Sequence, residues 1–209
     1  MIRMDRWRLW SLALVAICFG AVPVSAQIFA SSENSDEVFC CDPQSGVLIG
    51  SGPFIPAGSG GLSRPHGILD RTNGPLVASF NTAEVKRYDR DTGAYVDNFI
   101  TNGAGLSLPV HMAIGPSDGL LYISSQGNDR ILRFNRDTGA VADGSPFIDG
   151  GLLDAPSGFD WSPDGTILYV AGRASGNVLA YDASTGRRLR TVICLRRGSA
   201  PGTIRSDWR

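Results

Sequence analysis

Histidine is nearly missing from this chain, with two in 209 residues, and glutamate is almost as scarce, with three. A site built from clustered imidazoles or paired glutamates is therefore hard to assemble, and the catalytic set, the metal ligands and the cofactor are each expected to be none. Cysteine is limited to Cys18, Cys40, Cys41 and Cys194, with no C-x-x-C spacing to hold zinc. No G-x-S-x-G nucleophile elbow is present, and Gly58-Ser59-Gly60-Gly61 lacks the lysine and Ser/Thr of a phosphate cradle. No apolar run approaches the ~18 residues of a membrane-spanning helix. Neither charge dominates, since the formal net charge is −1. What is plentiful is punctuation. The 26 glycines and 12 prolines suit many short strands and tight turns, and 43% hydrophobic residues are enough for a core.

Residues 1–26 read as an export signal. Arg3, Arg6 and Arg8 precede the short apolar run Leu12–Gly20, and Val24-Ser25-Ala26 offers small residues for cleavage before Gln27. The remaining chain is expected outside the cytoplasm, secreted or periplasmic, with no membrane span once the signal is removed. Cys18 leaves with the signal. One of Cys40 and Cys41 can bridge Cys194 in an oxidising compartment, although a buried, apolar Cys41 is the favoured expectation.

A repeat of about 47 residues organises the rest. Val38–Gly46 (VFCCDPQSG), Val85–Gly93 (VKRYDRDTG), Ile131–Gly139 (ILRFNRDTG) and Val178–Gly186 (VLAYDASTG) share one pattern, and their closing glycines are 47, 46 and 47 residues apart. Each copy carries Cys41, Tyr88, Phe134 or Tyr181 at its fourth place, then Asp or Asn, then Ser/Thr-Gly. Alternation of apolar and polar residues predicts a strand, and Asp/Asn four residues before glycine predicts a tight hairpin turn. A second strand is predicted after each glycine (VLIGSGPF, AYVDNFI, AVADGSPFI, RRLRTVI). Gly-rich links then lead to PHGILDRTNG, VHMAIGPSDG and PSGFDWSPDG, and on to the most apolar strands, PLVASF, LLYISS and ILYVAG. Four short strands per unit make an all-β chain, a β-propeller of four-stranded blades with about four blades present.

The chain enters the repeat at IFASSE (28–33), so the first blade lacks its opening strand, and a strand near 202–206 is the candidate to supply it. That would shut a small ring; the alternative is an incomplete version of a larger propeller. Charge is unevenly spread, with net −9 over residues 27–186 and net +6 over 187–209, the basic end being an interaction tail or an eroded terminus. An acidic body behind an export signal excludes nucleic acid as a partner.

The segments FIPAGSGGLSRPHGILD and LSLPVHMAIGPSDGLLYISSQGNDRILRFNRDTGA resemble secreted bacterial propellers of NHL-repeat type. The resemblance covers most of residues 28–186. It implies the propeller fold, and places the chain near streptogramin B lyase and gluconolactonase-like hydrolases. It implies no ligand set, because Glu33, Glu37 and Glu84 do not match the gluconolactonase-like metal site by spacing, and for the lyase site His111 alone could be claimed, which is too little.

His66 and His111 each lie eight residues before a turn glycine, Gly74 and Gly119, and Ser157 holds that place before Gly165. Read this way, the three occupy equivalent positions at strand starts near the ring axis, and they are the candidate ligand-binding residues. The Asp-rich turns at Asp89, Asn135 and Asp164 do not fit a calcium loop and are expected to be turn caps. The leading functional expectation is a non-enzymatic exported scaffold that binds a protein or carbohydrate at the cell exterior. The rivals are a lyase or lactone hydrolase with a divalent metal near the axis, and a non-functional fragment of a longer propeller.

Overall fold

A computed structural model describes residues 27–194. Fourteen strands form four antiparallel sheets. Sheet 1 pairs β1 (Ile28–Ser32) with β2 (Glu37–Cys41). Sheet 2 runs in order through β3 (Pro65–Leu69), β4 (Leu76–Ser79), β5 (Glu84–Tyr88) and β6 (Tyr95–Ile100). Sheet 3 holds β7 (Pro109–Ile114), β8 (Leu121–Ser125), β9 (Arg130–Phe134) and the short β10 (Ile148–Asp149). Sheet 4 holds β11 (Pro156–Trp161), β12 (Ile167–Gly172), β13 (Asn177–Asp182) and β14 (Arg188–Cys194). Every sheet is a meander of neighbouring strands, as short turns between alternating segments require.

Successive sheets pack face to face, and their first strands lead the contact: β3 on β7, and β7 on β11. These strands therefore line an axis around which the sheets are stacked, which is a propeller. Sheet 1 enters one strand late, as expected, so β1 itself packs on β3. The strand expected near residues 202–206 lies outside the described residues.

Among the described residues, three sheets have four strands and sheet 1 has two. In sheet 1 the outer strand is reduced to the bridges Cys41↔Leu48 and Val38↔Ile55, and sheet 3 has only Phe134↔Val141 and β10. Both segments carry glycine and proline, at Gly50, Gly52 and Pro53 and at Gly144 and Pro146. Such residues remove ladder donors and side-chain packing, whereas AYVDNFI has neither and forms β6 in full.

Each joint between sheets encloses an apolar cluster. Val38, Ile55, Val77 and Tyr88 fill the first, Leu76, Ala78, Ile123 and Phe134 the second, and Tyr122, Val170, Leu179 and Tyr181 the third. The aromatic at the fourth repeat position thus packs against the preceding blade. Cys41 takes that position in sheet 1, which has no preceding blade among the described residues, and it is half-buried. Cys40, not Cys41, is the buried thiol, because it faces blade 2, and Cys40 and Cys41 are both free.

The closing glycines have a second reason to be glycine. All four have φ between +68° and +72°. A Cβ on Gly93, Gly139 or Gly186 would also stand 1.9, 2.0 or 2.3 Å from the carbonyl oxygen of Phe54, Phe99 or Phe147 in the blade before. Around Gly46 nothing lies within 4 Å.

Candidate functional site

Each inner strand begins the same way. Arg64, Leu108 and Ala155 hold left-handed backbone conformations, with φ of 50°, 51° and 50°, and each is followed by proline. Directly after the proline the register slips, at Pro65/Ile68, Pro109/Met112 and Pro156/Phe159. A bulge of this kind turns side chains out of the ladder, and here it turns them at the end of the blades shared with the β1–β2, β4–β5, β8–β9 and β12–β13 turns. This end is the proximal face.

His66, His111 and Ser157 all sit in these bulges, yet they are not equivalent. His66 and Ser157 directly follow their proline, whereas His111 is the second residue after Pro109 and matches Gly67 and Gly158. In sheet 3 the turn glycine stands ten positions after the proline, where in sheets 2 and 4 it stands nine after. Counting back from the glycine therefore slips by one. Gly67 is small because β7 lies against it: a Cβ there would meet the Val110 carbonyl oxygen at 2.5 Å.

The three residues have different surroundings. The His66 ring lies 4.6 Å from the Phe80 ring, and its Nε2 is 3.8 Å from Glu33 Oε1. That nitrogen is buried and makes no hydrogen bond. Glu33 is ion-paired with Arg64, whose guanidinium also lies 4.9 Å from the Phe80 centroid. Burial lowers the His66 pKa, and the charges of Arg64 and Arg173 lower it further, so the imidazole is neutral at pH 7. Arg173, exposed at the end of β12, has no ion-pair partner among the described residues. His111 meets Phe159 edge-on at 4.7 Å, and burial lowers its pKa against the opposing pull of Asp160. Ser157 is spoken for within its own blade, donating to the Ala171 carbonyl at 3.4 Å.

The proximal group is thus Glu33, Arg64, His66 and Phe80, from sheets 1 and 2, with the charge of Arg173 on sheet 4 acting on His66. Of these, only His66 is among the candidates read from the sequence. Glu33 and Arg64 escaped because their meeting is long-range, 31 residues apart. A signal did exist in the repeat, where Asp36, Ala83, Asp129 and Gly176 hold the same turn position with positive φ. Asp36 and Asp129 use it to accept the backbone N–H of Arg64 and Ala155, strapping one blade to the next. Asp36 is therefore committed. With it committed, His66 and Glu33 are two ligands where a divalent ion needs at least three, and no three His, Cys, Asp or Glu groups converge among the described residues. The donor set does not fit a metal.

The Asp-rich turns are caps. Asp89 Oδ1 accepts the N–H groups of Asp91 and Thr92 and the Thr92 hydroxyl, at 3.1, 2.9 and 2.7 Å, and Asp42, Asn135 and Asp182 serve the same turn in their blades.

A family model described as "Lactonase, 7-bladed beta-propeller" matches residues 84–192. No curated protein sequence matches the chain. A gluconolactonase from Xanthomonas campestris shares the fold at TM-score 0.60 and 17% identity, over 80% of this chain and 58% of that one. Virginiamycin B lyase from Staphylococcus aureus does so at TM-score 0.53 and 16% identity, over 78% and 50%. A chain of a nidogen/laminin complex does so at TM-score 0.59 and 15% identity, over 81% and 63%. The chain spans 45–63% of the length of the solved structures it matches, about half.

Proposed function

The chain belongs to the seven-bladed β-propeller lactonase family, and from that premise we propose that it is an exported propeller that binds a small anionic ring compound, a sugar acid or its lactone, on the proximal face. The observation that carries this is the grouping of Arg64 and neutral His66 beside the Phe80 ring, with the charge of Arg173 acting on His66. Two guanidinium groups suit a carboxylate, since their forked donors match its two oxygens. The buried, unpartnered His66 Nε2 offers a hydrogen bond to a hydroxyl, and the aromatic wall suits the apolar face of a sugar ring. Export rests on the signal-like residues 1–26.

Calorimetric titration with gluconate and with glucono-δ-lactone tests the reading. Binding is expected, weakened at least tenfold by Arg173→Ala and by His66→Ala, with His111→Ala unchanged. No heat with either ligand overturns it.

Family membership favours a second reading, lactone hydrolysis. Neutral His66 would take a proton from water attacking the lactone carbonyl, the ring C–O bond would break, and the proton would pass to the ring oxygen. Recovery of intact lactone supports binding alone; recovery of the open acid, lost in His66→Ala, supports hydrolysis.

A further inference from the structure

Sheet 2 departs from the repeat at one buried place. Where the other copies hold Phe39, Leu132 and Leu179, it holds Lys86. The residue opposite Lys86 on the next strand is Asn98, where the other copies hold Pro53, Pro146 and Thr191. A lysine in a joint between blades is costly unless its charge is met. Lys86 is 2% exposed, and its Nζ donates to Glu84 Oε2 at 2.7 Å and to Asn98 Oδ1 at 3.0 Å. Glu84 completes the triangle, its other oxygen accepting a hydrogen bond from Asn98 Nδ2 at 2.9 Å. The Tyr95 hydroxyl donates to the same Asn98 Oδ1 at 3.0 Å.

The glycine-rich link covers this group. Its Ser59–Gly61 turn packs on β6, and the Tyr88 hydroxyl pins it by donating to the Ser59 carbonyl at 2.9 Å. The Tyr95 ring lies where a Cβ on Gly60 would stand, 2.0 Å from its Cδ2, and a Cβ on Gly61 would stand 3.9 Å from Lys86 Nζ. The glycines that make no phosphate cradle thus let the link close over the amine.

An amine, a carboxamide and a carboxylate in mutual hydrogen-bond contact are the two reactants and the proton carrier of an amide exchange. We propose that Lys86 and Asn98 join spontaneously in an isopeptide bond, a covalent rung between β5 and β6, with Glu84 and Tyr95 as the catalytic residues. Glu84 takes a proton from the Lys86 ammonium, which leaves two neutral groups where burial penalises two charges. Nζ attacks Asn98 Cγ, the Nζ–Cγ bond forms, and the carbonyl electrons move onto Oδ1, where the Tyr95 hydroxyl stabilises them. Glu84 gives its proton to Nδ2 and takes the one that Nζ must lose. The Cγ–Nδ2 bond then breaks, the carbonyl reforms, and ammonia leaves with the last proton as ammonium. The rung fastens β6, the outer strand of its sheet, which has a partner on one side only. This inference does not depend on any ligand at the proximal face.

Peptide mapping of the purified full chain by mass spectrometry tests it. Trypsin should fail to cut after Lys86 and should release residues 72–87 joined to residues 91–130, the pair lighter by one ammonia. The joined pair should be absent in Lys86→Leu, which restores the residue of sheets 3 and 4, and in Glu84→Gln, which keeps a hydrogen-bonding group but cannot carry the proton. In freshly made protein, Tyr95→Phe should slow its formation at least about tenfold. Circular dichroism checks that each variant folds. Folded wild-type protein that is cut after Lys86 and yields residues 91–130 unlinked overturns the proposal, as does a joined pair that survives Glu84→Gln.

Discussion

Strands β8 and β12 have nearly the same sequence, LYIS and LYVA, yet different fates. Every residue of β8 is buried, whereas β12 alternates, with Leu168, Val170 and Gly172 buried and Ile167, Tyr169 and Ala171 partly exposed. The difference lies outside the strand. Among the described residues, sheet 3 has a neighbour on both sides and sheet 4 on one. A blade is thus written for burial on two faces, and its stability belongs to joints more than to sheets.

The contrast between filled and open joints can be measured. Phe134→Ala removes a fully buried ring from the second joint and should cost about 3–5 kcal/mol, while Cys41→Ala at the same repeat position should cost less than about 1 kcal/mol. Urea denaturation of the two variants gives the ratio, and equal costs would mean that the first sheet is as well covered as the third. Gly46→Ala should show only the strain of a left-handed alanine, about 1 kcal/mol. Gly93→Ala should add a further ~1–3 kcal/mol, because the Phe54 carbonyl must move. Asp129→Ala removes a strap between blades 3 and 4 and should cost about 1–2 kcal/mol, and Ala83→Asp tests whether a strap can be added where the repeat lacks one.

The smallest effect is a pH dependence. Hydrogen bonds from Ser184 and Thr185 hold the Asp182 carboxyl down at about 2, below the ~4 of an unfolded chain. The turn is therefore stabilised above pH ~4, and that contribution fades as pH falls from about 4 towards 2. Asp89 is held low in the same way by Thr92, whereas the matching residue in blade 3, Asn135, does not titrate. In acid titration, Asp182→Asn should flatten the loss of stability, and Asn135→Asp should steepen it.

The stacking of like sheets was legible because its causes are local and periodic. Turn glycines, alternating strands and capping Asp/Asn recur in sequence at fixed spacing, and β5, β9 and β13 form where VKRY, ILRF and VLAY predict them. The outer strands of sheets 1 and 3 were overread, since the Gly and Pro within them weigh more than the apolar residues between. The proximal group was scarcely legible. Glu33 and Arg64 meet across two blades, and a single added residue in sheet 3 hid the offset between His66 and His111. Periodicity finds what repeats. A site is made of the places where the copies differ, and those need coordinates.

The seats under the closing glycines carry a wider consequence. What crosses from blade to blade there is a peptide carbonyl, which every residue type possesses, resting on a turn that asks only for a missing side chain. Neighbours therefore recognise one another's main chain rather than one another's identity. Units can be duplicated, dropped or exchanged between genes without redrawing the boundary they share, and the number of blades becomes a quantity that mutation can change one step at a time.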